Sequence, residues 1–147
     1  MFTRILAAVG GPDATLEPAR AAARLALTLG ASLTFVSVYR APSRVLGEPD
    51  YSDRLQPRLA EADAALDGAR RAAEAEGLAD AEYESRTGDP AEVIIEMARG
   101  GGYDLVVMGT HRRGRIGVAL LGSVSNAVAA RSGRPVMAVP EPAHGSG

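Results

Sequence analysis

Short apolar, β-branched runs alternate with longer alanine- and leucine-rich segments along almost the whole chain, and this alternation limits the fold more than any other feature. RILAAV at 4–9 reads as a buried strand closed by Gly10, Gly11 and Pro12. TLEPARAAARLALTL at 15–29 consists mostly of strong helix formers, with Pro18 in the first turn and Gly30 placed to cap the end. SLTFVSVY at 32–39 predicts a second strand with Leu33, Phe35 or Val36, and Val38 available to the core. A loop with Pro42, Gly47 and Pro49 leads to the longest helix, about 52–76. Leu55, Leu59, Ala62, Leu66, Ala69 and Ala73 recur there at spacings of four and three, which forms one stripe on a helix.

AEYESRT at 81–87 is a more polar strand, as expected near a sheet edge. GDPAEVIIEMA at 88–98 opens a helix: Asp89 caps, Pro90 fits the first turn, and Glu92 sits where a capping-box acid reaches back. DLVVMG at 104–109 is apolar throughout, as a central parallel strand requires. A helix from about 123 to 131 and a strand at 134–140 follow, and 141–147 is expected to be a flexible tail. Strands that alternate with helices imply βαβ units. The expected fold is a single α/β domain over 1–140, with a five-stranded, parallel, doubly wound sheet and helices on both faces.

Composition narrows the function. The 147 residues suit one domain with a real core. A net charge of −2 argues against a nucleic-acid or membrane-surface partner. No run approaches the roughly 18 apolar residues of a membrane span, and the N-terminal apolar run is too short for a signal peptide, so a cytoplasmic protein is expected. There is no cysteine, hence no thiolate chemistry. All 16 basic residues are arginine, which excludes mechanisms that need lysine, the P-loop among them.

One stretch carries the functional signal. GTHRRGRIGVALLGS, 109–123, holds four glycines and three arginines around His111. In open parallel sheets ligands bind beyond the carboxyl ends of the strands, where strand order reverses. The loops after Val9, Val38 and Met108 are therefore the candidates, and this stretch is the third. Gly122 and Ser123 lie at a helix start, where free amides and the helix dipole favour an anion. Gly-x-Gly-x-x-Gly is missing after the first strand, and a hydrolase Gly-x-Ser-x-Gly elbow is missing after any strand. His111 has no identifiable acid or nucleophile partner, so no metal site or catalytic triad is expected.

The spacing resembles that of the universal stress protein family, whose nucleotide-binding members carry Gly-x2-Gly-x9-Gly-Ser/Thr after the fourth strand. VVMGTHRRGRIGVALLGSVS sets Gly109, Gly122 and Ser123 in that register, with Met108 before and Val124 and Ser125 after. The resemblance runs from Arg4 to Pro140 and includes GDPAEVIIEMA and GRPVMAVP. It implies strand order 3-2-1-4-5, a stress or signalling role, and ATP or a related adenine nucleotide, with Mg, as ligand. Hydrolysis is expected to be slow or absent, because no general base is evident near the loop. Val9, Gly10, Gly11 and Val38 would then hold the base and ribose. Gly109, Gly122, Ser123 and Ser125 would hold the phosphates, with Arg112 and Arg113 as clamps. The resemblance also implies a homodimer, and in that strand order the uncharged PVMAVP of 135–140 is an edge strand open to pairing.

Two positions depart from the family pattern. Arg112 stands where the second glycine belongs, and Gly10 stands where the first strand of such relatives carries aspartate in Val-Asp-Gly-Ser. A left-handed backbone at 112 would cost a non-glycine residue about 1–2 kcal/mol, whereas a charge-assisted bond to phosphate returns about 1.5–3 kcal/mol. The terms are of similar size. The alternative expectation is a homodimeric protein-interaction module that has lost nucleotide binding.

Overall fold

The computed structural model describes residues 2–10, 14–42, 50–110 and 122–141. Five strands, β1 (Arg4–Ala8), β2 (Ser32–Tyr39), β3 (Glu82–Thr87), β4 (Leu105–Gly109) and β5 (Val136–Val139), alternate with four helices. These are α1 (Glu17–Leu29), α2 (Tyr51–Ala75), α3 (Pro90–Gly100) and α4 (Ser123–Arg131). The strands form one parallel sheet in the order β3-β2-β1-β4-β5, as expected.

Strand alternation divides the core into two layers, since successive side chains point to opposite faces. Ile5, Ala7, Leu33, Phe35, Leu105 and Val107 face one side, where α1 and α2 cover them with Ala19, Ala22, Ala23, Ala26, Leu66, Ala69 and Ala73. Leu6, Val36, Val106 and Met108 face the other and meet Ile94, Ile95, Met97 and Ala98 of α3 and Val128 of α4. Burial of each large side chain in these layers contributes about 1.5–3 kcal/mol. Both Phe35 and Val36 are therefore core residues, one per face. In the α2 stripe Ala62, Leu66, Ala69 and Ala73 are buried, while Leu55 and Leu59 are half-buried near the helix start.

β3 lies at one edge of the sheet. Its Tyr83 stacks on Phe35 with ring centroids 5.3 Å apart, and the Arg70 guanidinium lies 4.1 Å above the same ring. At the amino ends of the strands, Asp104 accepts hydrogen bonds from the Thr3 amide (2.8 Å), the Thr3 hydroxyl (3.1 Å) and the Arg4 amide (3.0 Å). Partial burial opposes its charge, but these donors outweigh that and hold the carboxyl below its usual range.

α1 ends at Gly30, whose φ of 64° turns the chain so that the next amide, Ala31, reaches the Ala26 carbonyl at 3.0 Å. α3 starts as expected: the Asp89 carboxylate accepts from the Glu92 amide at 3.1 Å, with Pro90 next in the chain. That bond, with Arg40 2.9 Å away, keeps the Asp89 carboxyl below its usual range. Glu92 does not reach back as a capping box does. Its carboxylate instead forks onto Arg131 of α4, at 2.5 and 3.2 Å. The packing of α4 beside α3 brings a guanidinium within reach, and two charge-assisted bonds outcompete one backbone amide.

Candidate functional site

Strand order reverses between β1 and β4, and the chain leaves these two strands in opposite directions across the sheet. A cavity of about 230 Å3 opens at this point, beyond the carboxyl ends of the strands. Val36, Val38, Met108, Pro90, Ile94 and Val124 form its apolar wall, and Gly10, Gly109, Thr15 and Glu141 its polar side. Small-molecule sites commonly measure about 300–1,000 Å3.

Among the residues singled out from sequence, Val9, Gly10, Val38, Met108, Gly109 and Val124 all line this one cavity. Val9 donates its amide to the Val36 carbonyl at 2.9 Å, which extends the β1–β2 pairing to the cavity rim. Gly122 and Ser123 stand at the start of α4, with Gly122 the N-cap and Ser123 the first helical residue. Gly122 has no side chain to cap the helix, and the Ser123 side chain is exposed. The buried Ser125 hydroxyl donates to the Gly122 carbonyl at 3.3 Å, so it is turned into its own helix start. Gly11, Arg112 and Arg113 lie outside the described residues.

Sequence reasoning missed Thr15 and Glu141. Glu141 falls in the expected tail, yet it is only 7% exposed. Its Oε1 accepts from the Thr15 amide at 3.0 Å and the Thr15 hydroxyl at 3.2 Å, just ahead of α1. Its carboxylate also occupies the space a side chain on Gly109 would take: a Cβ there would lie 2.5 Å from Oε2. Gly109 is thus a close approach between backbone and carboxylate, the service glycine performs by lacking a Cβ. Beside it the Thr110 amide donates to the Val139 carbonyl at 3.0 Å, and the buried Thr110 hydroxyl has no partner among the described residues.

Comparison with known proteins agrees with this geometry. The sequence model of the universal stress protein family matches residues 1–140. A universal stress protein from Thermus aquaticus, encoded in the 3′ region of a sulfhydrylase gene, is 37% identical over 142 residues, which cover 95% of this chain and 99% of that protein. The chain belongs to the universal stress protein family. A universal stress protein crystallised in complex with cAMP is 27% identical, superposes with a TM-score of 0.72, and is matched over 94% of this chain and 97% of its own. UspA from Lactobacillus plantarum shares the fold at a TM-score of 0.80 and 22% identity, over 94% of this chain and 97% of its own.

Gly10, at the position where nucleotide-binding relatives are expected to carry aspartate, has a φ of 107°, a conformation that L side chains rarely adopt. A Cβ there would lie 2.7 Å from Oγ of the buried Ser37 and 3.4 Å from Cβ of Ala65. The local backbone and Ser37 together therefore require glycine. Gly10→Ala is expected to lower stability by about 1–2 kcal/mol from the backbone alone, measured by urea denaturation. Ser37→Gly in the same chain should recover only the steric share. Unchanged stability in the single variant would contradict this account of the β1 exit.

Proposed function

We propose that this universal stress protein binds an adenine nucleotide in the cavity between β1 and β4 and acts as a stress or signalling module with slow or no hydrolysis. The observation that carries the proposal is the pairing of an apolar slot at the switch point with the start of α4, whose N-cap, Gly122, has no side chain to cap the helix. Val38, Met108 and Val124 would sandwich the base, and the backbone at Val9 and Gly10 would face it from β1. The phosphates would meet the amides of Gly109 and of Gly122 to Ser125, where the helix dipole favours negative charge. Arg112 or Arg113, outside the described residues, would supply the positive charge for a phosphate clamp. The relative crystallised with cAMP supports an adenine ligand for this fold.

ATP is the most highly charged member of that ligand class, and Mg is the ion expected to accompany it. The described lining fits Mg poorly. Glu141 is its one carboxylate, and one of its oxygens is already committed to Thr15. Among the described residues no group of three or more acidic or histidine side chains could hold a metal ion. A metal would therefore arrive on the nucleotide's own phosphates. Glu141 is also the one ionisable side chain described in the lining.

Thermal-shift and calorimetric titration with cAMP, AMP and ATP tests this. A ligand at 100 times its Kd is expected to stabilise the fold by about 2.7 kcal/mol. Val38→Trp, which fills the apolar slot, is expected to abolish the shift while the far-ultraviolet spectrum stays unchanged. Absence of any shift at millimolar concentration of all three would favour the second reading, an interaction module without nucleotide. That reading is motivated by Gly10 in the aspartate position and Arg112 in the glycine position.

The proposal includes a homodimer through residues 135–140. β5 is an edge strand, and its Met137 side is 37% exposed; unpaired edges of this kind invite pairing. Sedimentation at micromolar concentration is expected to give a dimer, and Met137→Glu a monomer. A monomeric parent chain would refute the interface.

A further inference from the structure

The polar side of the cavity carries a feature that nucleotide binding alone does not require. Glu141 follows β5 directly in space and folds inward, over 90% buried, to lie between the exit of β4 and the start of α1. Its Oε1 is saturated by the Thr15 amide and hydroxyl. Its Oε2 lies against Gly109, with no hydrogen-bond donor among the described residues, and Glu141 lines the cavity. Among the described lining residues it is the one charged side chain. Gly109 is also the first glycine of the phosphate-loop register, so the carboxylate stands beside the backbone that phosphate would approach.

We infer that Glu141 is a specificity-determining residue that tunes the cavity to weakly charged adenine ligands, the nucleoside and its monophosphates, over the triphosphate. The inference rests on the adenine-nucleotide reading of the same cavity. A carboxylate oxygen accepts hydrogen bonds and donates none, so Oε2 can pair with a ribose hydroxyl. It repels every phosphate brought near it, and the low dielectric of a half-closed cavity strengthens that repulsion. The two hydrogen bonds from Thr15 and the close approach to Gly109 hold the carboxylate in place, so it is not free to swing away. Each added phosphate raises the repulsion, while the number of sugar hydroxyls open to Oε2 stays the same.

The test is a calorimetric series of adenosine, AMP and ATP against the parent chain and Glu141→Gln. The amide keeps an oxygen acceptor for Thr15 and nearly the same shape, and equal melting temperatures without ligand check that the fold is kept. In the parent chain, affinity is expected to fall from adenosine and AMP to ATP. In Glu141→Gln, ATP is expected to bind about tenfold more tightly with adenosine little changed, the discrimination that one like-charge contact supplies. A parent chain that prefers ATP, or an adenosine-to-ATP ratio that is the same in both proteins, overturns the inference while leaving adenine binding intact. If none of the three ligands binds either protein, the adenine-nucleotide reading itself falls, and this inference falls with it.

Discussion

Parallel pairing of β1 with both β2 and β4 is the constraint on which the site depends. Ile5, Leu6 and Ala7 sit opposite Leu105, Val106 and Val107 on one side and Leu33, Thr34 and Phe35 on the other. The chain leaves β1 toward β2 and leaves β4 toward β5, so the connections part above the sheet and open a crevice between them. Strand order alone places the cavity. The glycines at 10 and 109 let the two exits shape it, one through a positive φ and the other through the close approach of a carboxylate.

Glu141 ties this crevice together from a third direction. It couples the end of β5 to the start of α1 across 126 residues and lies on the first residue of the phosphate-loop register. A group of that kind contributes twice. It anchors Thr15, just ahead of α1, through that residue's amide and hydroxyl, and it sets the charge of the described pocket lining. Stability and ligand choice therefore meet in one side chain, and the apolar wall of Val36, Val38, Met108 and Ile94 supplies affinity without choosing between charges.

Much of the architecture was legible because it rests on local signals. The alternation of apolar runs and alanine-rich segments located all nine described elements to within about two residues, and Asp89 with Pro90 marked the start of α3 through a contact only three residues long. Residues that converge from far apart were not legible. Glu141 reads as tail because nothing near it in sequence says that the chain turns inward there. Glu92 fits a capping box by spacing, yet its carboxylate finds Arg131, 39 residues away, once α3 and α4 pack. Adjacent glycines at 10 and 11 flagged a tight exit from β1. The positive φ of Gly10 and its close approach to Ser37 on the neighbouring strand came only with the structure. The family register located Gly109 and Gly122, while the reason Gly109 must be glycine came only with the position of Glu141.

Backbone amide chemical-shift mapping during titration with AMP addresses the central claim most directly, because it reports where a ligand sits rather than only whether one binds. The expected result is a contiguous set of perturbed amides at Val9, Gly10, Val38, Met108, Gly109 and Val124, all from the cavity between β1 and β4. Perturbations confined to the opposite end of the sheet, around Arg4, Gly101 and Tyr103, would contradict it.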